Sequence, residues 1–130
     1  MKLSDAEWQI MNALWQKNPS TAREIIDELP NDVQWAYTTV KTMLTRLVSK
    51  KAVHEEKRGN LAFYTPLVSQ WKARRGAIRS MIDKVFGGTV EPIMHYLVDE
   101  EKLTSSQRRE LIKLLEEMDR KEAADDQSDQ

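Results

Sequence analysis

The sequence predicts a mainly α protein that opens with a winged helix-turn-helix, three helices plus a two- or three-stranded wing, and continues into further helices. Three observations predict it. Capping boxes at Ser4/Glu7, Thr21/Glu24 and Thr104/Gln107 mark helix starts, because the two side chains of such a pair satisfy each other's open backbone amides. Two strand-like runs, Val53–Lys57 and Leu61–Thr65, flank Arg58-Gly59-Asn60, a hairpin turn where positive φ is tolerated. Apolar residues spaced i, i+3, i+4, i+7, i+8 recur at Val40/Met43/Leu44/Leu47/Val48 and at Ile78/Met81/Ile82/Val85/Phe86, each a single helical face.

The first helix starts at Ser4, with Leu3 and Trp8 in the two positions of a hydrophobic staple. Trp8, Met11, Leu14 and Trp15 share one face until Asn18-Pro19 stops the helix. The two tryptophans read as core packing, since indoles that stack on bases would be spaced differently. The second helix carries Ala22, Ile25, Ile26 and Leu29 and ends at Pro30. Asn31 to Trp35 lead into the third, Ala36 to Lys50. Opposite its apolar stripe stand Thr38, Thr42, Thr45 and Ser49, flanked by Lys41 and Arg46. Two readings of that face stand: an ordinary amphipathic surface helix, or a surface that lies on a phosphate backbone and its base edges.

The order of these helices is that of a helix-turn-helix, whose last helix would enter a major groove. The hairpin must pack on the helices, because two strands alone are barely stable, and Pro66 ends the second strand. Its tip, Lys57-Arg58-Gly59, is basic. It is either a solvated turn or a contact to phosphate or minor groove.

The second half predicts three more helices: Ser69 to Phe86, stopped by Gly87-Gly88; a short one from Thr89 and Pro92 with Ile93, Met94, Tyr96 and Leu97; and one from Thr104 to about Arg120 with Leu111, Leu114, Leu115 and Met118 on one side. Faces this narrow close no core of their own. A second copy would cover them, making residues 69–120 a helical dimerisation domain after a winged-helix domain at residues 1–68. The alternative is that they fold back on the first domain. KEAADDQSDQ, residues 121–130, lacks apolar periodicity and is expected to be a disordered acidic tail.

The 130 residues are 40% apolar, enough to fold, and carry a net charge of −1. That neutrality argues mildly against a nucleic-acid partner, but it is a cancellation. Val33 to His54 holds four basic residues and no acidic one, whereas Asp99 to Gln130 holds eleven acidic against six basic. Without cysteine there is no disulfide, thiolate metal site or cysteine nucleophile. The longest apolar run, Leu61–Tyr64, is too short for a signal peptide or membrane span, so a cytoplasmic protein with no membrane insertion is expected. No phosphate loop, HExxH or G-x-S-x-G motif occurs, and His54 and His95 have no partner at metal-ligand spacing. Neither enzyme activity, cofactor nor metal is expected.

The segments LSDAEWQIMNALW, TAREIIDEL, WAYTTVKTMLTRLVSK, EKRG, YTPLVS and KVFGGTVEP, in that order and spacing, resemble the penicillinase-repressor (BlaI/MecI/CopY-like) family of bacterial winged-helix repressors over roughly residues 3 to 118. The resemblance implies a homodimer on a palindromic double-stranded operator, the helix from Ala36 in the major groove, the hairpin as wing, and intertwined C-terminal helices. Copper-responsive members carry a C-terminal cysteine cluster, which this chain lacks. β-Lactam-responsive members are cut by a membrane metalloprotease sensor at an Asn-Phe bond. The corresponding pair here is His95-Tyr96, a mismatch that leaves cleavage, and such a sensor as partner, as an expectation only.

The residues expected to touch DNA are Thr38, Thr39, Lys41, Thr42, Thr45 and Arg46 on the helix, and Lys57, Arg58 and Tyr64 on the wing. Those expected to dimerise are Ile78, Met81, Ile82, Val85, Phe86, Ile93, Leu97, Leu111, Leu114 and Leu115. Two other functions fit the same order of elements: a winged-helix protein-interaction module, and a ligand-sensing regulator with a pocket between the helices after Ser69.

Overall fold

The computed structural model describes residues 1–128, with side chains to Asp126. Its elements run α1 (Asp5–Gln16), α2 (Ala22–Glu28), α3 (Tyr37–Ser49), β1 (Val53–Arg58), β2 (Leu61–Pro66), α4 (Gln70–Val85), α5 (Glu91–Asp99) and α6 (Ser105–Ser128). Two compact units divide the chain, Met1–Met81 and Ile82 onward. The division falls inside α4, not at the expected residue 68, because one unbroken helix leaves the wing and carries its first three turns with the first unit.

All three capping boxes form as their spacing requires. Ser4 and Glu7 exchange bonds of 2.9 and 3.2 Å, Thr21 and Glu24 of 3.1 and 3.2 Å, and Thr104 and Gln107 of 2.9 and 3.1 Å. Asn18 stops α1 by donating its side-chain amide to the Leu14 carbonyl at 2.9 Å. α4 ends where Gly87 and Gly88 take positive φ of 58° and 87°, and the Gly88 amide closes on the Ile82 carbonyl at 3.0 Å.

The core of the first unit is made by Ile10, Met11, Ala13 and Leu14 of α1, Ala22, Ile25 and Leu29 around α2, and Val40, Met43, Leu44 and Leu47 of α3, closed by Ala52, Val53 and Tyr64. The stripe of α3 is therefore buried as its periodicity predicts. The face of α1 differs from expectation. Ile10 and Ala13 are inside, while Trp8 and Trp15 are half-buried at the rim with ring centres 6.0 Å apart. Indoles are large and carry a polar N–H, so they settle where that group finds a partner. Trp15 donates its Nε1–H to the Val68 carbonyl at 2.9 Å, tying α1 to the chain that leaves the wing.

The wing is a two-stranded antiparallel sheet in which Val53 pairs with Pro66 and Arg58 with Leu61. Only Gly59 and Asn60 form its turn, one residue fewer than expected, with Gly59 at φ 64° as the first central residue of a type II′ turn requires. A single residue supplies a third strand. Ser20 pairs with Tyr64 on the free edge of β2, through bonds of 3.1 and 2.8 Å.

Glu7 is 3% exposed and holds Lys50 at 2.6 Å, joining the starts of α1 and the end of α3. Burial, the largest single influence, pushes the Glu7 carboxyl up. The Lys50 hydrogen bond, the Ser4 amide and hydroxyl and the Lys50 charge together outweigh it, and its pKa lies below the ordinary 4.5. A carboxyl depressed by folding stabilises the native state above its unfolded value, and that contribution is lost as pH falls through the folded one. Glu7→Gln, which keeps a capping-box side chain, is expected to cost about 1–3 kcal/mol near neutrality. Denaturant titrations from pH 7 to pH 3 would show wild type losing part of this advantage below about 4.5, with a flatter profile for the variant.

In the second half the side chains present a different picture. Ile78, Met81, Val85, Leu111, Leu114 and Leu115 are exposed, Ile82, Phe86, Ile93 and Leu97 half-buried, and no described side chain of α4, α5 or α6 is fully buried. The expectation of disorder from Lys121 is corrected for residues 121–128, which continue α6; residues 129–130 lie outside the described residues. Lys, Glu and two alanines at 121–124 favour helix by intrinsic propensity, which apolar periodicity does not register.

Candidate nucleic-acid interface

Because Val40, Met43, Leu44 and Leu47 turn inward, 100° per residue forces Thr38, Thr39, Thr42, Thr45 and Arg46 outward, and all five are exposed. Thr42 donates its hydroxyl to the Thr38 carbonyl at 2.9 Å and Thr45 to the Lys41 carbonyl at 3.0 Å. Their single protons are thus spent within the helix. Toward a partner these two threonines present a methyl group and oxygen lone pairs, suited to thymine methyls and to base amino groups. Ala36 caps α3 without a side-chain bond and the first turn has no acidic residue, so the leading amides of this helix are open.

Lys41 is half-buried and donates from Nζ to the Tyr64 hydroxyl at 2.8 Å. That hydrogen bond, the largest influence, holds the Lys41 pKa above its ordinary value against the opposing effect of burial, so the side chain stays a cation. The ammonium also lies 5.5 Å from the Tyr64 ring centre, a separation the hydroxyl contact sets, so the two are one interaction. Tyr64 itself is 2% exposed. Its expected place among the DNA-contacting residues is corrected: the alternation of β2 turns its ring into the core, and only through Lys41 does it reach the surface.

The wing separates its two cations in the same way. Lys57, opposite Ala62, lines a cleft with Lys41, Tyr37 and Arg23. Arg58 lies on the other face, 3.2 Å from Glu56 and over the Phe63 ring at 5.2 Å. It remains exposed at the tip, and a pair this exposed holds it weakly. Lys50, counted in the basic middle of the sequence, is taken up by Glu7 and by the Lys2 carbonyl at 2.9 Å. Arg23 of α2 was not anticipated; its guanidinium lies 5.6 Å from the centre of the Tyr37 ring. Nothing in the local pattern of α2 sets Arg23 apart, because its partner lies in the next helix. His95 and Tyr96 are both exposed, in the middle of α5.

A family model described as penicillinase repressor matches residues 3–117. The chain belongs to the penicillinase repressor family. It is 28% identical over 116 residues to the penicillinase repressor of Bacillus licheniformis, covering 89% of this chain and 91% of that one. It is 29% identical over 114 residues to the methicillin resistance regulatory protein MecI of Staphylococcus aureus strain N315, covering 88% and 93%. Among solved structures, the DNA-binding domain of the repressor BlaI is similar at 35% identity and a TM-score of 0.48, over 53% of this chain and 84% of that one. Membership agrees with the segments from LSDAEWQIMNALW to KVFGGTVEP, all of which fall within the matched residues. No described helix is long and apolar enough to cross a membrane.

Proposed function

We propose that this penicillinase-repressor family member is a non-enzymatic transcriptional repressor that binds a palindromic operator as a homodimer. The observation that carries the reading is the outer face of α3, where five exposed residues, Thr38, Thr39, Thr42, Thr45 and Arg46, stand on a helix anchored by a fully buried stripe. Lys41 and Lys57 beside it would hold phosphates and fix the register, while α3 reads base edges. One of its relatives is named a penicillinase repressor and another a methicillin resistance regulatory protein, which is the same direction of function.

The dimer is supported by the uncovered apolar side chains of α4, α5 and α6, since a two-fold pair would bury them and match a two-fold operator. Release by cleavage at His95-Tyr96 would detach α6 from the pair and lose bivalency, after a local opening of α5. Selecting bound genomic fragments with the purified protein tests the whole reading. Recovered sites should be inverted repeats with half-sites about one helical turn, or a multiple of it, apart. Unselective recovery would sink it.

Arg46→Ala is expected to cost about 1–3 kcal/mol of operator binding and little on random duplex. Equal losses on both, measured by fluorescence anisotropy, would make Arg46 a phosphate contact and move base reading to the threonines.

A further inference from the structure

We propose that the cleft between α2, the start of α3 and the wing is a seat for one phosphate group, held by Arg23, Lys41 and Lys57, with buried Tyr64 as the positioning residue that aims Lys41 into it. This rests on the DNA-binding reading and deepens it. The group expected is a backbone phosphate of the operator beside the groove that α3 enters, and a free phosphate monoester would offer the same chemistry.

The cleft has a volume of about 360 Å³ and no acidic residue lines it. Its three cations have no ion-pair partner among the described residues, the Glu55 charge acting on Lys41 only from a distance, so a bound anion would relieve their mutual repulsion. Two of the cations are also positioned for one. The Arg23 guanidinium lies over the Tyr37 ring at 5.6 Å, and its N–H donors have no hydrogen-bond partner among the described residues. Tyr64 takes one of the three protons of Lys41 and leaves two.

Tyr64 is a fixed reference point. Its ring is buried, and both its backbone N–H and its carbonyl bond to Ser20, while in the sheet it lies opposite Glu55. A lysine ordered in advance by such a hydroxyl avoids the entropy that a free lysine loses when it binds. Arg23 thereby joins α2 to the interface, and Tyr64 contributes without touching the ligand.

The test uses the full chain and operator duplexes in which single phosphates are replaced by uncharged methylphosphonate. One position in each half-site should cost wild type about tenfold or more in affinity, and that penalty should shrink in Arg23→Ala, where Lys41 and Lys57 alone remain on the phosphate. The same variant should lower the slope of log affinity against log salt by about one. Tyr64→Phe should bind about 2–10-fold more weakly. In that background the further loss from Lys41→Ala should shrink, which a purely structural role for Tyr64 would not produce; cooperative urea unfolding checks that the fold is kept.

A wild type that binds its operator while no phosphate couples to Arg23 or Lys41 overturns the seat and leaves the DNA reading standing. If wild type binds no duplex, the DNA reading is the one that fails. Titration of the free protein with inorganic phosphate and with thymidine monophosphate then decides: binding abolished by Arg23→Ala keeps the seat for a free phosphorylated ligand, and no binding overturns it.

Discussion

Leu114→Asp is expected to leave the chain monomeric and to weaken operator binding by about 10²–10⁴-fold, the factor that linking two half-site contacts contributes. Leu114 is 51% exposed in α6, and Leu111, Leu115 and Met118 surround it on the same face at 40%, 49% and 58%. With no described side chain buried in α4, α5 or α6, these helices have no core of their own. A carboxylate placed there would have to lose its water without a partner when two copies meet. Sedimentation should give twice 15.1 kDa for wild type and 15.1 kDa for the variant. Lys113→Asp, on the opposite side of α6, is the control and should dimerise normally. If Leu114→Asp still dimerises, the pairing surface lies elsewhere.

Leu44→Ala should destabilise the winged-helix unit by about 2–5 kcal/mol, because it opens a cavity at a fully buried point where α3 meets α1 and α2. That is a large share of the roughly 5–15 kcal/mol that holds a domain folded. The midpoint of urea unfolding should fall while the operator affinity of the folded fraction stays near wild type. Arg46→Ala should do the reverse, with an unchanged midpoint and weaker binding. If Leu44→Ala altered affinity more than stability, the inner and outer faces of α3 would not be the separate devices their burial indicates.

Much of this protein is legible from local pattern. The capping boxes place three helix starts to the residue, the stripe of α3 gives its buried side, and Gly87-Gly88 places the end of α4. These features are short-range, and their physics is complete within about two helical turns. Once Val40, Met43, Leu44 and Leu47 are known to be inside, the outward direction of Thr38, Thr42, Thr45 and Arg46 follows from helical geometry alone.

What local pattern misjudged depended on something distant. Tyr64 looks like a surface residue of a basic wing until Ser20, from before α2, pairs with its strand and the core receives its ring. Trp8 and Trp15 share a periodic face with core residues, yet Trp15 stops at the rim because its N–H needs the Val68 carbonyl. Lys50 counts toward a basic surface in the sequence and is withdrawn from it by Glu7, forty-three residues earlier. The sequence by itself determined where the helices and hairpin begin, which side of each is apolar, and the family. Only the tertiary structure decided which cations stay free and which aromatic side chains reach the surface, because each of those outcomes depends on a partner far away along the chain.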